Sequence, residues 1–317
     1  MLNPATTAFV FPGQGSQVVG MGKDLADAFP AARSTFEQAD DVLGFSLSRL
    51  LFEGPESDLN DTLNTQPALY VCGIATLRAL QAELPQLQAA YMAGHSLGEF
   101  TALAAAGAFS FEDGLRLVRE RGRLMKAAGE EKPGAMAALL GLDAEVVRDI
   151  CERASSETGR LVVLANDNCP GQIVISGESE ALDRAVELAK EAGARRAVRL
   201  AVSIASHSPL MQSAAEAFAG VLESTPITAP QAVVIANTSV TPLETEDAIR
   251  QELRVQLVQS VRWTETVRAL AARGVTTFLE FGPKDVLTGL LRRIDNSADG
   301  VALNSAEAVR QFAAANT

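Results

Sequence analysis

The sequence predicts an α/β fold: a hydrolase-like domain on a parallel sheet, with a small ferredoxin-like α+β domain inserted into it. Three observations carry this prediction. The stretch Ala89–Phe100 reads as a short apolar strand, then Gly94-His95-Ser96-Leu97-Gly98, then a helix through Thr101–Ala106 that closes at Gly107. Such a tight strand-to-helix turn lifts its serine above a sheet, as hydrolase-like folds do. Other apolar, β-rich runs occur at Thr6–Phe11, Ala232–Asn237 and Thr276–Phe281, separated by segments of helical spacing. Between them, residues 134–202 follow the order β-α-β-β-α-β, which is the ferredoxin-like order. The expected division is therefore 1–132 with 203–317 for the large domain and 133–202 for the small one.

In chain order, Thr6–Phe11 is a buried strand ending in Pro12-Gly13-Gln14-Gly15-Ser16-Gln17. This loop fails as a dinucleotide fingerprint, because position 18 is Val18 where a third glycine is needed, and no Gly-Lys-Ser/Thr follows for a phosphate loop. Asp24–Leu43 and Gln66–Leu84 have helical apolar spacing, with Pro67 expected in the first turn and Pro85 as a stop. Asp58–Thr65 reads as a polar connector. Phe111–Ala128 is a helix whose apolar stripe runs through Leu117/Val118 and Leu124/Met125, and Arg121 falls midway on that stripe. Next come a strand at Gly134–Leu140, a helix at Asp143–Ala154, and strands at Leu161–Asn166 and Gln172–Ser176 joined by a loop at 167–171. The insert closes with a helix at Glu178–Ala192, ended by Gly193, and a strand at Arg196–Val202. Ser206-His207-Ser208-Pro209 stands at the return to the large domain. A mostly helical Ala248–Leu270, containing Gln256 and Trp263, and a helix at Val286–Ile294 complete the pattern.

Composition excludes several functions. The net charge of −12 opposes non-specific binding to nucleic acid or an anionic membrane. No apolar run approaches the length of a membrane span, and no leader precedes the first strand. The three scattered cysteines, Cys72, Cys151 and Cys169, suit a reducing cytoplasm and suggest neither a disulfide framework nor a metal site. The two histidines, His95 and His207, are the only candidates for an imidazole base.

Together these residues point to acyl transfer through an acyl-serine. Ser96 is the candidate nucleophile and His207 the candidate base. The glycine-rich loop supplies the Gln14 N–H, which with that of Leu97 forms a candidate oxyanion hole. No acid stands obviously between Ser96 and His207, so a backbone carbonyl is left to orient the imidazole in a Ser–His dyad. An inward Arg121 needs an anion. A structural salt bridge answers that need, and so does an acyl group bearing a free carboxylate. A thioesterase-like hydrolase and a non-catalytic carrier-binding scaffold stand beside acyl transfer as rival readings.

The motifs Phe11-Pro12-Gly13-Gln14-Gly15-Ser16-Gln17, Gly94-His95-Ser96-Leu97-Gly98-Glu99, Arg119-Glu120-Arg121-Gly122, Ser206-His207-Ser208 and Glu280-Phe281-Gly282-Pro283 occur in this order over nearly the whole chain. In this the sequence resembles the bacterial malonyl-CoA:acyl-carrier-protein transacylases of fatty-acid synthesis; the acyltransferase subunit of malonate decarboxylase shares the motifs. The resemblance implies ping-pong transfer of malonyl from malonyl-CoA to the phosphopantetheine thiol of an acyl carrier protein. It implies Ser96 as nucleophile, His207 as base and then acid, and Arg121 as the carboxylate holder. Gln256 would orient His207 through its carbonyl, His95 would flank the serine, and Asn166, Asn168 and Ser206 would line the cleft. It further implies a cytoplasmic monomer with no bound cofactor or metal, CoA thioester entering as substrate. Docking of the carrier would use Lys284, Arg292 and Arg293, or Arg195, Arg196 and Arg199.

Overall fold

The computed structural model describes residues 2–316. Six strands form one sheet in the order β10-β9-β1-β2-β7-β8: β1 (Thr7–Phe11), β2 (Tyr91–Gly94), β7 (Val233–Ile235), β8 (Pro242–Leu243), β9 (Thr277–Phe281) and β10 (Asp299–Leu303). All neighbours pair in parallel except the edge strand β8, which is antiparallel to β7. β1 is buried on both faces: Phe9 and Phe11 enter one apolar cluster, Ala8 and Val10 the other. A sheet covered on both sides requires such an unbroken apolar run.

A second sheet holds β3 (Ala135–Leu140), β4 (Val162–Cys169), β5 (Gln172–Gly177) and β6 (Arg196–Arg199) in the antiparallel order β4-β5-β3-β6. With the helices Ala144–Thr158 and Ser179–Glu191 it has the expected β-α-β-β-α-β order. Alternation assigns its faces. Ala135, Ala137 and Leu139 pack in a cluster with those helices, while Met136 joins Ala165 and Val174 on the opposite face. β4 is stitched to the segment ahead of the helix Trp263–Ala272, where Asp167 N donates to Val261 O and Val261 N to Ala165 O, each at 2.9 Å.

Several segments depart from the sequence expectations, and the strand expected at Arg196–Val202 ends at Arg199. Asp24–Leu43 is two helices, Lys23–Ala28 and Pro30–Leu43, because Phe29 is extended ahead of Pro30 (φ −125°, ψ 118°). The helix expected from Gln66 starts at Thr62, capped by Asp61, so Pro67 lies inside it and not in its first turn. Proline has no N–H for the Leu63 carbonyl, and Arg119 Nη1 donates to that carbonyl instead at 3.0 Å. The connector expected at 58–65 is thus partly helical. Finally, the loop expected at 167–171 is mostly strand: β4 continues to Cys169 with irregular register, leaving Pro170 and Gly171 as the turn. β10 and a last helix, Ala306–Asn316, extend the large sheet's flank.

Candidate active site

β1 and β2 end side by side, and the site begins at their carboxyl ends, where open parallel sheets hold ligands. Past β2, Ser96 sits at φ 52°, ψ −106° as the residue before the elbow helix, Leu97–Ala105. Glycine is obligatory around it. A Cβ on Gly94 would lie 1.9 Å from the Gly98 backbone, and one on Gly98 would lie 2.0 Å from Phe11 O. The loop after β1 is pressed equally close, since a Cβ on Gly13 would meet His95 O at 2.4 Å. This brings Gln14 beside Ser96 and Leu97 in one cleft. Among the described residues neither the Gln14 nor the Leu97 amide N–H donates within the protein.

His207 is also held at positive φ, 57°, and its ring is buried. Its Nδ1 faces Gln256 O at 2.8 Å and Gln259 O at 3.2 Å. Carbonyls only accept, so Nδ1 carries the proton and Nε2 is left to accept from Ser96 Oγ–H at 2.8 Å. Burial, reinforced by the Arg121 charge, pushes the imidazole pKa down to about 3, so the ring is neutral near pH 7.

Arg121 lies on the helix Phe111–Glu131 and is 2% exposed. Its Nη1 donates to Gln66 Oε1 at 2.8 Å, and its Nη2 to Gln256 Oε1 at 2.9 Å and Ser96 Oγ at 3.2 Å. Among the described residues its Nε has no partner and no carboxylate forms an ion pair with it. The structural salt bridge that the sequence left open is therefore not what neutralises it. Burial lowers its pKa to about 10, against the pull of Glu99, so the charge persists at neutral pH. A buried guanidinium held only by neutral acceptors, with Nε still free to donate, is suited to receive an anionic group.

The cleft has a volume of about 650 Å³. Gln14, Ser96, Leu97, Arg121 and His207 line one side; Met136, Asn166, Asn168 and Val174 of the second sheet line the other. Ser206 also lines it, and His95 does so while its Nε2 meets Asn168 Oδ1 at 2.8 Å. Gln256 stands behind this surface and reaches the site through its polar atoms. Among the described residues no group of His, Cys, Asp or Glu side chains could hold a metal ion. Lys284 is engaged locally, donating to Gly15 O and Gln17 O, and Arg293 grips Pro170 O and Gln172 Oε1.

The profile of the acyl transferase domain matches residues 8–309. The malonyl CoA-acyl carrier protein transacylase of Haemophilus influenzae is 47% identical over 309 residues, covering 96% of this chain and 98% of that one. That of Bacillus subtilis strain 168 is 45% identical over 302 residues, covering 95% and 94%. This chain belongs to the malonyl CoA-acyl carrier protein transacylase family. Among solved structures, the acyl carrier protein S-malonyltransferase of Vibrio cholerae superimposes with a TM-score of 0.93 at 43% identity, over 97% of this chain and 99% of that one. A malonyl-transacylase in complex with a type II PKS acyl-carrier protein superimposes at 0.94 and 45% identity, over 98% and 99%.

Within this transacylase fold, three polar residues that hold the site, Gln66, Asn237 and Glu99, were given no role by the sequence. Gln66 receives Arg121. Asn237 accepts from Ser96 N at 2.7 Å and donates to Gly94 O at 2.7 Å, which fixes the elbow. Glu99 and Glu252 are buried carboxyls behind it. Gln66 did leave a trace, as the lone amide heading the apolar run Pro67–Val71. Asn237 leaves only its position just past the end of β7.

Proposed function

We propose that this chain moves malonyl from malonyl-CoA to the phosphopantetheine thiol of an acyl carrier protein, in two half-reactions through malonyl-Ser96, supplying extender units for fatty-acid biosynthesis. One observation carries the reading: a buried guanidinium without a counter-ion lies 3.2 Å from a serine hydroxyl that is itself 2.8 Å from a neutral imidazole. An acyl group with a free carboxylate satisfies that cation and so brings its thioester carbonyl to Oγ.

In the first half-reaction His207 Nε2 takes the Ser96 proton as Oγ bonds to the thioester carbon. The oxyanion faces the Gln14 and Leu97 amides. Its collapse breaks the C–S bond, and the departing CoA sulfur receives the proton from Nε2. The second half-reaction runs the same steps in reverse order, with the pantetheine thiol giving its proton to Nε2 and Ser96 Oγ leaving. Gln256 O and Gln259 O stabilise the transient imidazolium through Nδ1–H. Malonate bound at Arg121 offsets the charge that depresses the His207 pKa, which makes the base stronger when substrate is in place.

We assign 1–132 with 203–317 to a catalytic domain and 133–202 to a small domain that walls the cleft. Among the described residues no helix is long and apolar enough to cross a membrane. The working enzyme is read as a cytoplasmic monomer that uses no bound cofactor. Mass spectrometry after mixing the chain with malonyl-CoA tests the reading. The expected product is one malonyl group on the Ser96 peptide, discharged by a pantetheinylated carrier protein. CoA release with no acylated protein and no acceptor would make it a hydrolase.

A further inference from the structure

Glu99 lies in the first turn of the elbow helix and is fully buried. A glutamate there commonly reaches back to the N–H of the residue capping the helix. Here that N–H, on Ser96, goes to Asn237 instead, and Glu99 points behind the site. Its Oε1 accepts from Asn237 N at 2.9 Å, and its Oε2 accepts from Gln256 Nε2. Among the described residues it forms no ion pair. The nearby carboxyl Glu252 has a different task, holding Thr238 N and Oγ1 at 2.8 and 2.7 Å.

These two bonds bear on three functional groups. Asn237 carries the Ser96 N–H and the Gly94 carbonyl on its side chain. Gln256 gives its backbone carbonyl to His207 Nδ1 and its Oε1 to Arg121 Nη2. Its amide could sit in either of two orientations. The flipped one would turn the NH2 group toward the guanidinium and Oε1 toward Ser96 O. Glu99 and Ser96 O, both acceptors, hold Nε2 on their side, with Ser96 O at 3.0 Å.

We infer that Glu99 is a positioning residue for malonyl specificity: by accepting from Gln256 Nε2 and Asn237 N together, it keeps Gln256 Oε1 on Arg121 and the guanidinium aimed at the acyl carboxylate. The inference rests on the carboxylate-binding role given to Arg121 above. The chemistry of the position demands a carboxyl. Either protonation state of a carboxyl has two oxygens for the two donors. An amide has one, so glutamine at 99 must set an NH2 group against either Asn237 N–H or Gln256 Nε2. A flip of Gln256 resolves that conflict and releases Arg121.

The test compares Glu99→Gln with wild type, using malonyl-CoA and acetyl-CoA as rival donors and acyl-Ser96 formation as the readout. The expected result is a fall of at least ~10-fold in the ratio of malonyl to acetyl kcat/KM, the equivalent of one lost charge-assisted hydrogen bond. A merely structural Glu99 leaves the ratio unchanged, whether both rates fall equally or neither falls, and that result overturns the inference. If Glu99→Gln does not fold, Gln256→Met removes the relaying amide and keeps the carbonyl for His207. An unchanged ratio in that variant is equally fatal. Failure of wild type to form malonyl-Ser96 would instead sink the proposed function, so the two failures are distinguishable.

Discussion

The two sheets shape one cleft by opposite means. Around the ends of β1 and β2 the backbone is strained and packed without slack. Ser96 and His207 both have positive φ, and added methyl groups at Gly94 or Gly98 would sit about 2 Å from backbone atoms. The four-stranded sheet contributes Met136 and Val174 from ordinary alternating strand positions, and Asn166 and Asn168 from the irregular stretch of β4. Positive φ for a non-glycine residue is costly and persists only where the surroundings impose it. Among the described residues four non-glycine positions have positive φ, and two of them, Ser96 and His207, are the pair whose side chains meet at 2.8 Å. The facing wall needs shape and a few polar tips, so regular strands suffice.

Substitutions on the strained side and on the facing wall should differ in size of effect. Ser96→Ala is expected to lower transfer by ~10⁴-fold or more, since among the described residues no other hydroxyl is hydrogen-bonded to His207. Loss of the acyl-enzyme band in intact-mass spectra is the check; residual acylation elsewhere would move the chemistry off the elbow. Arg121→Ala comes next. Malonyl transfer should drop ~10²–10³-fold, the ~3–4 kcal/mol of two charge-assisted bonds, while acetyl transfer is largely spared. Equal losses for both donors, measured in competition, would make the arginine structural.

The third prediction concerns stability. Unfolded His207 titrates near its ordinary value of 6.5, whereas the folded ring titrates at about 3. Between those values the unfolded state binds a proton that the folded state does not, so stability falls as pH falls. From pH 6.5 to 4.5 this costs about 2–3 kcal/mol. His207→Gln should lose that portion of the pH dependence in denaturant titrations; parallel curves for the two proteins would contradict it. The smallest effect belongs to the wall. Asn168→Ala removes one neutral hydrogen bond, to His95, and should change kcat/KM by about fivefold, or ~1 kcal/mol. A loss as large as that of Arg121→Ala would mean that the second sheet takes part in the chemistry.

Much of this was legible in the residues. The elbow could be read because its glycines are steric necessities close together in the chain. Arg121 could be read because a charge on an apolar stripe violates a short-range pattern, and its burial follows directly. Pro67 misled because proline usually marks a helix start. Arg119, from another helix, relieves the missing bond and lets the helix pass through.

The residues alone fix the chemical groups, the tight turn at Ser96 and the β-α-β-β-α-β order of the insert, while β8, β10 and the helix Ala306–Asn316 emerge only in the fold. Which partner each buried amide finds is set by the packing of the folded chain. Gln66, Asn237, Gln256 and Glu99 come together because parallel strands joined by crossovers bring distant segments to the carboxyl ends of β1 and β2. Hydrogen bonds among such residues have no period along the chain, because their partners are chosen by position in space.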